Sequence, residues 1–173
     1  MILVNQEVIK VGPIQTNCYI LEKENMVLVI DPGDEYEKIN RVINGKKVVG
    51  VIITHHHYDH VGALNYFDES LIYDYSNLKE GKNTIDPFEF EVIYTPGHKS
   101  DAITIYFKEF KKMFTGDFLF KNTIGRTDLP TSSVEEMNES LKKIFKYEDD
   151  IEVYPGHGSS TNLGIEKNNN HFE

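Results

Sequence analysis

The chain contains no tryptophan, and Cys18 is the only cysteine among its 173 residues. A single cysteine cannot form an intramolecular disulfide bond, which fits a reducing cytoplasm, and we expect Cys18 to be a small buried apolar residue. No run approaches the roughly 20 apolar residues that a membrane-spanning helix needs, and residues 1–7 lack the basic start and longer apolar stretch of a signal peptide. We therefore expect a soluble cytoplasmic protein without a membrane partner.

Basic residues are also scarce. Lys and Arg total 18 against 28 Asp and Glu, which gives a formal net charge of −10. This charge repels polyanions, so we expect no nucleic-acid partner. The length suits one domain with a sizeable core, and no linker-like segment divides the chain, so we expect a single domain over residues 1–173.

Short apolar segments between polar or glycine-containing turns predict a chain rich in β-strands. We predict strands at 2–4, 6–10, 17–22, 26–31, 48–53, 71–73, 88–94, 102–107, 112–115 and 151–154. Apolar spacing predicts helices at 35–44, 60–67 and 133–146. The first strands should form a meander, and 102–107 should pair with 112–115. Strand groups interspersed with helices predict an α/β protein in which helices cover two sheets.

What the chain does have is an unusual cluster of histidines after the apolar run 48–53. Residues 54–60 read Thr-His-His-His-Tyr-Asp-His. If the extended backbone continues, His55 and His57 face the same side and His56 faces away, while Asp59 and His60 lie at the turn into a helix. This spacing favours two neighbouring metal sites over one. The alternative is that Asp59 caps the helix and the histidines are incidental.

Three further polar residues stand at similar junctions. His98, Asp117 and His157 each follow an apolar strand and a glycine, which allows a sharp turn at the rim of a sheet. Five of the seven histidines occupy such rim positions, whereas His56 and His171 do not. One such histidine could be structural, but the joint pattern predicts a metal centre.

The motifs HxHxDH at 55–60, TPGH at 95–98, TGD at 115–117 and PGHG at 155–158 together resemble those of the metallo-β-lactamase superfamily. The resemblance implies a four-layer αββα sandwich of two mixed sheets with helices outside. It also implies two divalent metal ions, which we expect to be zinc, with iron or manganese as alternatives. The first ion would bind His55, His57 and His98, and the second Asp59, His60 and His157. Asp117 would bridge both.

Within the superfamily, segments 16–19, 30–33 and 124–130 resemble short bacterial glyoxalase II-like hydrolases, which lack the C-terminal helical extension of longer relatives. That extension supplies part of the glutathione site. Arg126 stands where the longer enzymes carry a substrate-contacting lysine, so it either grips an anionic thioester or forms an ion pair with Asp128. Asp117 occupies a position where many β-lactamases use cysteine, which argues against antibiotic hydrolysis. Asp101 departs from the family pattern and has no assigned role.

The resemblance implies hydrolysis of small-molecule thioesters such as S-2-hydroxyacylglutathione. Water shared by two metal ions loses its proton near neutral pH, since even one zinc lowers the pKa of bound water from about 15.7 to about 7. We expect the resulting hydroxide to attack the thioester, with Asp59 and Asp117 as catalytic residues and Asp117 orienting the nucleophile. Two alternatives stay open. One is a persulfide dioxygenase with a single iron on His55, His98 and Asp117, and the other is a non-catalytic metal-binding module.

Overall fold

The computed structural model describes residues 5–169 and 171; the predicted strand at 2–4 lies outside them. The strands, numbered β1 to β13, are Asn5–Val11, Thr16–Lys23, Met26–Ile30, Lys47–Ile52, Ile72–Tyr73, Gly81–Ile85, Phe88–Tyr94, Ile103–Phe107, Lys112–Gly116, Leu119–Phe120, Thr123–Ile124, Glu152–Pro155 and Thr161–Asn162. The α-helices, numbered α1 to α4, are Tyr36–Ile43, Tyr58–Val61, Val134–Ile144 and Leu163–Lys167. Among the described residues, no helix is both long and apolar enough to cross a membrane.

The strands form two mixed sheets. The first has the order β1-β2-β3-β4-β5, in which β1 to β3 are the predicted antiparallel meander and β4 and β5 run parallel to β3. The second has the order β13-β12-β9-β8-β7-β6, and it contains the predicted hairpin of β8 and β9. Strands β10 and β11 form a separate small hairpin.

Three apolar clusters show how the layers stack. Alternation along β3 sends Leu28 and Ile30 into the cluster between the sheets, and Val27 and Val29 into the cluster beneath α1. Leucine and methionine side chains of α3 cover the outer face of the second sheet. Full burial of each such side chain contributes about 1.5–3 kcal/mol. The layers are therefore helix, sheet, sheet and helix, which confirms the predicted α/β architecture. Cys18 is fully buried in the cluster beneath α1, as expected.

The predicted helix at 60–67 differs from the structure. The helical turn begins earlier, at Tyr58, and ends at Val61, and a separate 3₁₀ turn covers Leu64–Tyr66. The cause lies in the backbone, because the N–H of Ala63 donates to the carbonyl of Pro32 at 2.9 Å. A donor used outside the helix cannot continue the helical ladder.

Five described strands and helices were not predicted: both strands of the β10–β11 hairpin, β6, β13 and α4. Strand β6 consists mainly of polar residues, and it forms because it pairs along its whole length with the apolar strand β7. The last two elements replace the tail expected after the strand at 151–154. Helix α4 is capped by the side chain of Asn162, and Glu166 within it is fully buried.

Strand direction explains where the polar loops gather. Strands β3 and β4 are parallel, so residues after Ile30 and after Ile52 lie at the same edge of the first sheet. Strands β9 and β12 are also parallel, and β7 runs in their direction because two antiparallel steps separate it from β9. The segments that follow these strands carry His55 to His60, His98, Asp117 and His157.

Candidate metal centre

The structure brings all seven predicted ligand side chains together at this edge. They form two groups that share Asp117, and in each group the candidate ligand atoms all lie within 4.8 Å of one another. The first group is His55, His57, His98 and Asp117, and the second is Asp59, His60, Asp117 and His157. The geometry therefore matches the predicted division into two neighbouring sites, while metal binding itself stays a prediction.

The first group is built around the ring nitrogens of three histidines. His98 Nε2 lies 3.0 Å from His57 Nδ1 and 3.7 Å from Asp117 Oδ2, and His55 Nε2 lies 3.5 Å from the same carboxylate oxygen. His55 and His98 are buried, whereas His57 is half-buried. As the alternation of an extended chain predicts, His55 and His57 converge.

The second group places two carboxylates against two imidazoles. His60 Nε2 lies 3.2 Å from Asp59 Oδ2 and 3.2 Å from Asp117 Oδ1. His157 Nε2 lies 3.1 Å from Asp59 Oδ2 and 3.4 Å from Asp117 Oδ2. The capping alternative for Asp59 is wrong, because no side chain caps helix α2 and its N-cap residue is His57. The Asp59 carboxylate instead accepts a hydrogen bond from Thr16 Oγ1 at 2.9 Å.

Orphaned polar atoms test whether these residues suit a metal. His55 Nε2, His60 Nε2 and Asp117 Oδ1 are buried and have no hydrogen-bond partner within the described part of the chain. Carboxylate oxygens lie 3.2 to 3.5 Å from these two nitrogens without forming hydrogen bonds to them. A buried polar atom without a partner costs about 1–3 kcal/mol, so such atoms need an explanation. Divalent cations in the two groups would satisfy all three, and the donor set of imidazole and carboxylate fits them.

In His55, His60 and His98, the Nδ1 atom contacts a polar atom of the surrounding protein. This contact fixes the direction in which the Nε2 atom of the same ring points. His60 Nδ1 contacts the buried carboxylate of Asp31 at 2.8 Å, and His98 Nδ1 bonds to the backbone carbonyl of Arg126 at 3.0 Å. His55 Nδ1 lies 3.1 Å from Thr54 Oγ1, which itself donates to Asp31 Oδ2 at 2.6 Å. Sequence reasoning did not assign this role to Asp31 or Thr54. Its only signal was that Asp31 also directly follows an apolar strand.

Burial and neighbouring charges shift the pKa values of side chains in the two groups in different directions. Burial, followed by the neighbouring His55 and His98, lowers the pKa of His57 to about 4. Burial opposes ionisation of Asp59 and Asp117, but contacts with His157 and other histidines outweigh it and hold the pKa of each carboxyl well below its usual range. Contacts with Asp117 and Asp59 raise the pKa of His157 to about 9. The metal-free second group therefore holds protons that a metal would have to displace.

Glycines let these loops approach one another, as the sequence predicted. Gly97 has a φ angle of 147°, which only glycine adopts at little cost. Gly116 leaves room for Thr54, because a Cβ there would lie 2.5 Å from Thr54 Oγ1. Gly156 is needed for space, since a Cβ there would lie 2.3 Å from Asp117 Oδ1 and 2.7 Å from His60 Cε1. The residue before His157 thus packs directly against two other candidate ligands.

His56 points away from both groups, as predicted. Its side chain is exposed and its Nε2 lies 2.7 Å from Asp74 Oδ2. Its backbone N–H donates to Asp101 Oδ2 at 3.1 Å, and Asp101 Oδ1 pairs with Lys99 Nζ at 3.2 Å. Asp101 therefore connects the loop of His98 with the peptide between His55 and His57, a role that the sequence did not indicate.

We expect Asp101→Ala to lower the affinity of the first group for metal by about tenfold, because residues that orient ligands typically contribute that much. Asp101→Asn keeps an acceptor oxygen for the His56 N–H and should lose less. Competition with a chromophoric chelator measures both. Lys99→Ala is the control for the ion pair alone, and an unchanged affinity in Asp101→Ala would contradict this role.

Both groups open onto a cavity of about 580 Å³. Its lining residues are Ile14, His57, Tyr58, Asp59, His98, Lys99, Asp117, Arg126, Leu129, Pro130, Thr131 and His157. The exposed Arg126 forms a bidentate ion pair with Asp128, at 2.6 and 2.9 Å, while it also lines the cavity. The predicted ion pair is therefore present, and contact of Arg126 with substrate stays a prediction.

Comparisons with known proteins show which sequences and folds this chain is similar to. Hydroxyacylglutathione hydrolase GloC of Haemophilus influenzae is 32% identical, over 97% of this chain and 97% of that protein. The crystal structure of the BLEG-1 B3 metallo-beta-lactamase has a TM-score of 0.88 and 27% identity, covering 96% of this chain and 98% of that one. TTHA1623 in a di-iron-bound form has a TM-score of 0.86 and 30% identity, covering 96% of this chain and 100% of that one.

The family profile described as "Metallo-beta-lactamase superfamily" matches residues 11–75 and 74–157. These two segments include both ligand groups and most of both sheets. The chain therefore belongs to the metallo-β-lactamase superfamily.

Proposed function

We propose that this chain is a metal-dependent hydrolase of small thioesters, with S-2-hydroxyacylglutathione as the reference substrate. The observation that carries the proposal is the pair of ligand groups that share Asp117 and open onto one cavity. A structural zinc site is usually a closed cage of four protein ligands, whereas these groups face a space that a substrate can enter. The similarity to a hydroxyacylglutathione hydrolase supports the choice of thioester.

Two divalent cations would be held by the two groups, and we expect zinc. The di-iron form of TTHA1623 makes iron the first alternative. When bound, the two cations would lower the pKa of a shared water and polarise the carbonyl oxygen of the substrate. Asp59 and Asp117 keep their negative charge at neutral pH, so they would offset the cationic charge at the cavity floor.

The carboxylates of the site do not assist protonation of the leaving group. The described cavity lining offers no neutral carboxylic acid for donating a proton to the leaving group. A thiolate leaves without strong acid catalysis, so a thioester suits this lining better than an amide does. Arg126 and Lys99 provide cationic side chains at the rim, where we propose that Arg126 contacts the substrate.

The proposal is tested by reloading separate samples of chelator-treated protein with zinc and with iron(II), and assaying each with S-lactoylglutathione, a β-lactam and glutathione persulfide. We expect two metal ions per chain and restored hydrolysis of the thioester. One iron per chain with oxygen consumption on the persulfide would establish the dioxygenase instead. Hydrolysis of the β-lactam alone would assign the activity named for BLEG-1, and metal binding without turnover would indicate a binding module.

A further inference from the structure

Two exposed apolar side chains lie at the mouth of the cavity above the ligand groups. Ile14 is 48% exposed and Tyr58 is 75% exposed, and both line the cavity together with Leu129 and Pro130. Exposure of apolar surface to water is unfavourable. A cluster of such side chains beside a reactive site therefore points to an apolar part of the ligand.

Other exposed apolar residues of the described chain have different surroundings. Tyr66 stacks on the ring of Tyr36 with 4.4 Å between ring centroids, and Tyr75 contacts Tyr94 at 4.8 Å. Neither Tyr66 nor Tyr75 lines the cavity. Ile14 and Tyr58 are thus distinguished by their position rather than by exposure alone.

Chain connectivity ties both side chains to the second ligand group. Tyr58 directly precedes Asp59, and Ile14 lies in the turn before Thr16, whose hydroxyl donates to the Asp59 carboxylate. Leu129 and Pro130 line the cavity from another loop, which Ser132 fastens to the His98 carbonyl at 2.6 Å. A ligand positioned at Asp117 would therefore have apolar side chains from separate loops within the same cavity.

The cations on the cavity wall already have partners. Lys99 pairs with Asp101 at 3.2 Å, and Arg126 pairs with Asp128 in bidentate geometry. An anionic group would have to compete with these carboxylates, whereas an apolar group meets no competitor at Ile14 and Tyr58. Apolar contact is consequently a selective feature of this lining, in addition to the Arg126 contact proposed above.

We propose that the substrates are thioesters carrying an apolar hydrocarbon group of more than two carbons, seated against Ile14 and Tyr58. This inference rests on the proposed thioesterase function and extends it to a substrate class. The hydrocarbon could belong to the acyl part or to the thiol part, because the same apolar surface would accept either. The preference should grow with the length of the hydrocarbon until the hydrocarbon extends beyond Ile14 and Tyr58.

Non-hydrolysable thioethers test the contact without turnover. We expect the Kd of S-alkyl-N-acetylcysteamines for the zinc-loaded protein to fall about twofold per added methylene from methyl to hexyl, half the free-energy gain of full burial. The total gain is then about thirtyfold. Ile14→Ala should reduce the total gain to about fourfold, since three carbons of the contact surface are removed. Calorimetric titration measures each Kd.

Ile165→Ala is the matched control. Ile165 is also 48% exposed, but it lies in α4 and does not line the cavity. This variant should keep the wild-type dependence on chain length. A series of Kd values that is flat in wild-type protein, or a slope that Ile14→Ala leaves unchanged, would overturn the inference.

Turnover then separates this inference from the proposed function. We expect kcat/KM for either S-hexanoyl-N-acetylcysteamine or the acetyl thioester of hexanethiol to exceed kcat/KM for S-acetyl-N-acetylcysteamine. If the hexanoyl thioester is preferred, the acyl part contacts Ile14 and Tyr58. If the hexanethiol ester is preferred, the thiol part does. Equal values for all three would contradict the inference while the hydrolase stands. A retained slope in thioether binding without hydrolysis of any thioester would instead overturn the proposed function alone.

Discussion

Replacing Asp117 by alanine is expected to reduce thioester hydrolysis by about 10³-fold, or roughly 4 kcal/mol, and to lower the bound metal below two ions per chain. Asp117 is the residue that both ligand groups share. Its Oδ1 lies 3.2 Å from His60 Nε2, and its Oδ2 lies 3.5 Å from His55 Nε2. Loss of this carboxylate therefore removes one candidate ligand from each group at once.

Elemental analysis and thioester kinetics on the same preparation measure the two effects. Asp150→Ala serves as the control, because Asp150 is an exposed aspartate whose carboxylate pairs with Lys111 away from the centre. It should retain both metals and full activity. Circular dichroism checks that Asp117→Ala is folded. Full activity in folded Asp117→Ala protein would contradict the two-metal assignment.

The positions of the candidate ligands could be predicted because their signal is local. His98, Asp117 and His157 each follow an apolar strand and a glycine, and the three strands end at one edge of the second sheet. The pattern of one strand thus predicts the location of one ligand. Their assembly requires only that the strands run in the same direction.

Residues that act through distant contacts could not be predicted in this way. Asp101 meets the backbone of His56 across 45 residues, and Asn17 binds the carbonyl of Pro155 across 138. No periodicity in the sequence encodes such partners. Strand β6 was missed for a related reason, because its polar residues become a strand only by pairing with β7.

Asp31 is the strongest example, and its replacement by asparagine should have the second largest effect. Three donors converge on this carboxylate: the N–H of Thr54 at 2.8 Å, the hydroxyl of Thr54 at 2.6 Å and Nδ1 of His60 at 2.8 Å. Asparagine presents an NH₂ group in place of one oxygen, so a donor would face a donor in either orientation. We expect the free energy of unfolding to fall by about 3 kcal/mol, as it does when one partner of a buried ion pair is removed.

The choice of asparagine separates charge from backbone strain. Asp31 has a φ angle of 56°, a left-handed conformation that asparagine tolerates and alanine does not. Denaturant unfolding of the metal-free protein measures the stability change. Asp34→Asn is the control, because Asp34 is exposed in the same turn and should change stability by no more than about 0.5 kcal/mol.

Metal affinity is a second measurement of the role of Asp31, because replacing a purely structural residue would not change the affinity of the folded protein for metal. Because Asp31 holds His60 directly and His55 through Thr54, its loss should weaken both ligand groups by about 10–100-fold, even under conditions where the variant is fully folded. Chelator competition well below the unfolding midpoint isolates this effect. If Asp31→Asn lost stability but bound metal with wild-type affinity, the ring orientations of His55 and His60 would not depend on the buried carboxylate, and Asp31 would be a core residue only.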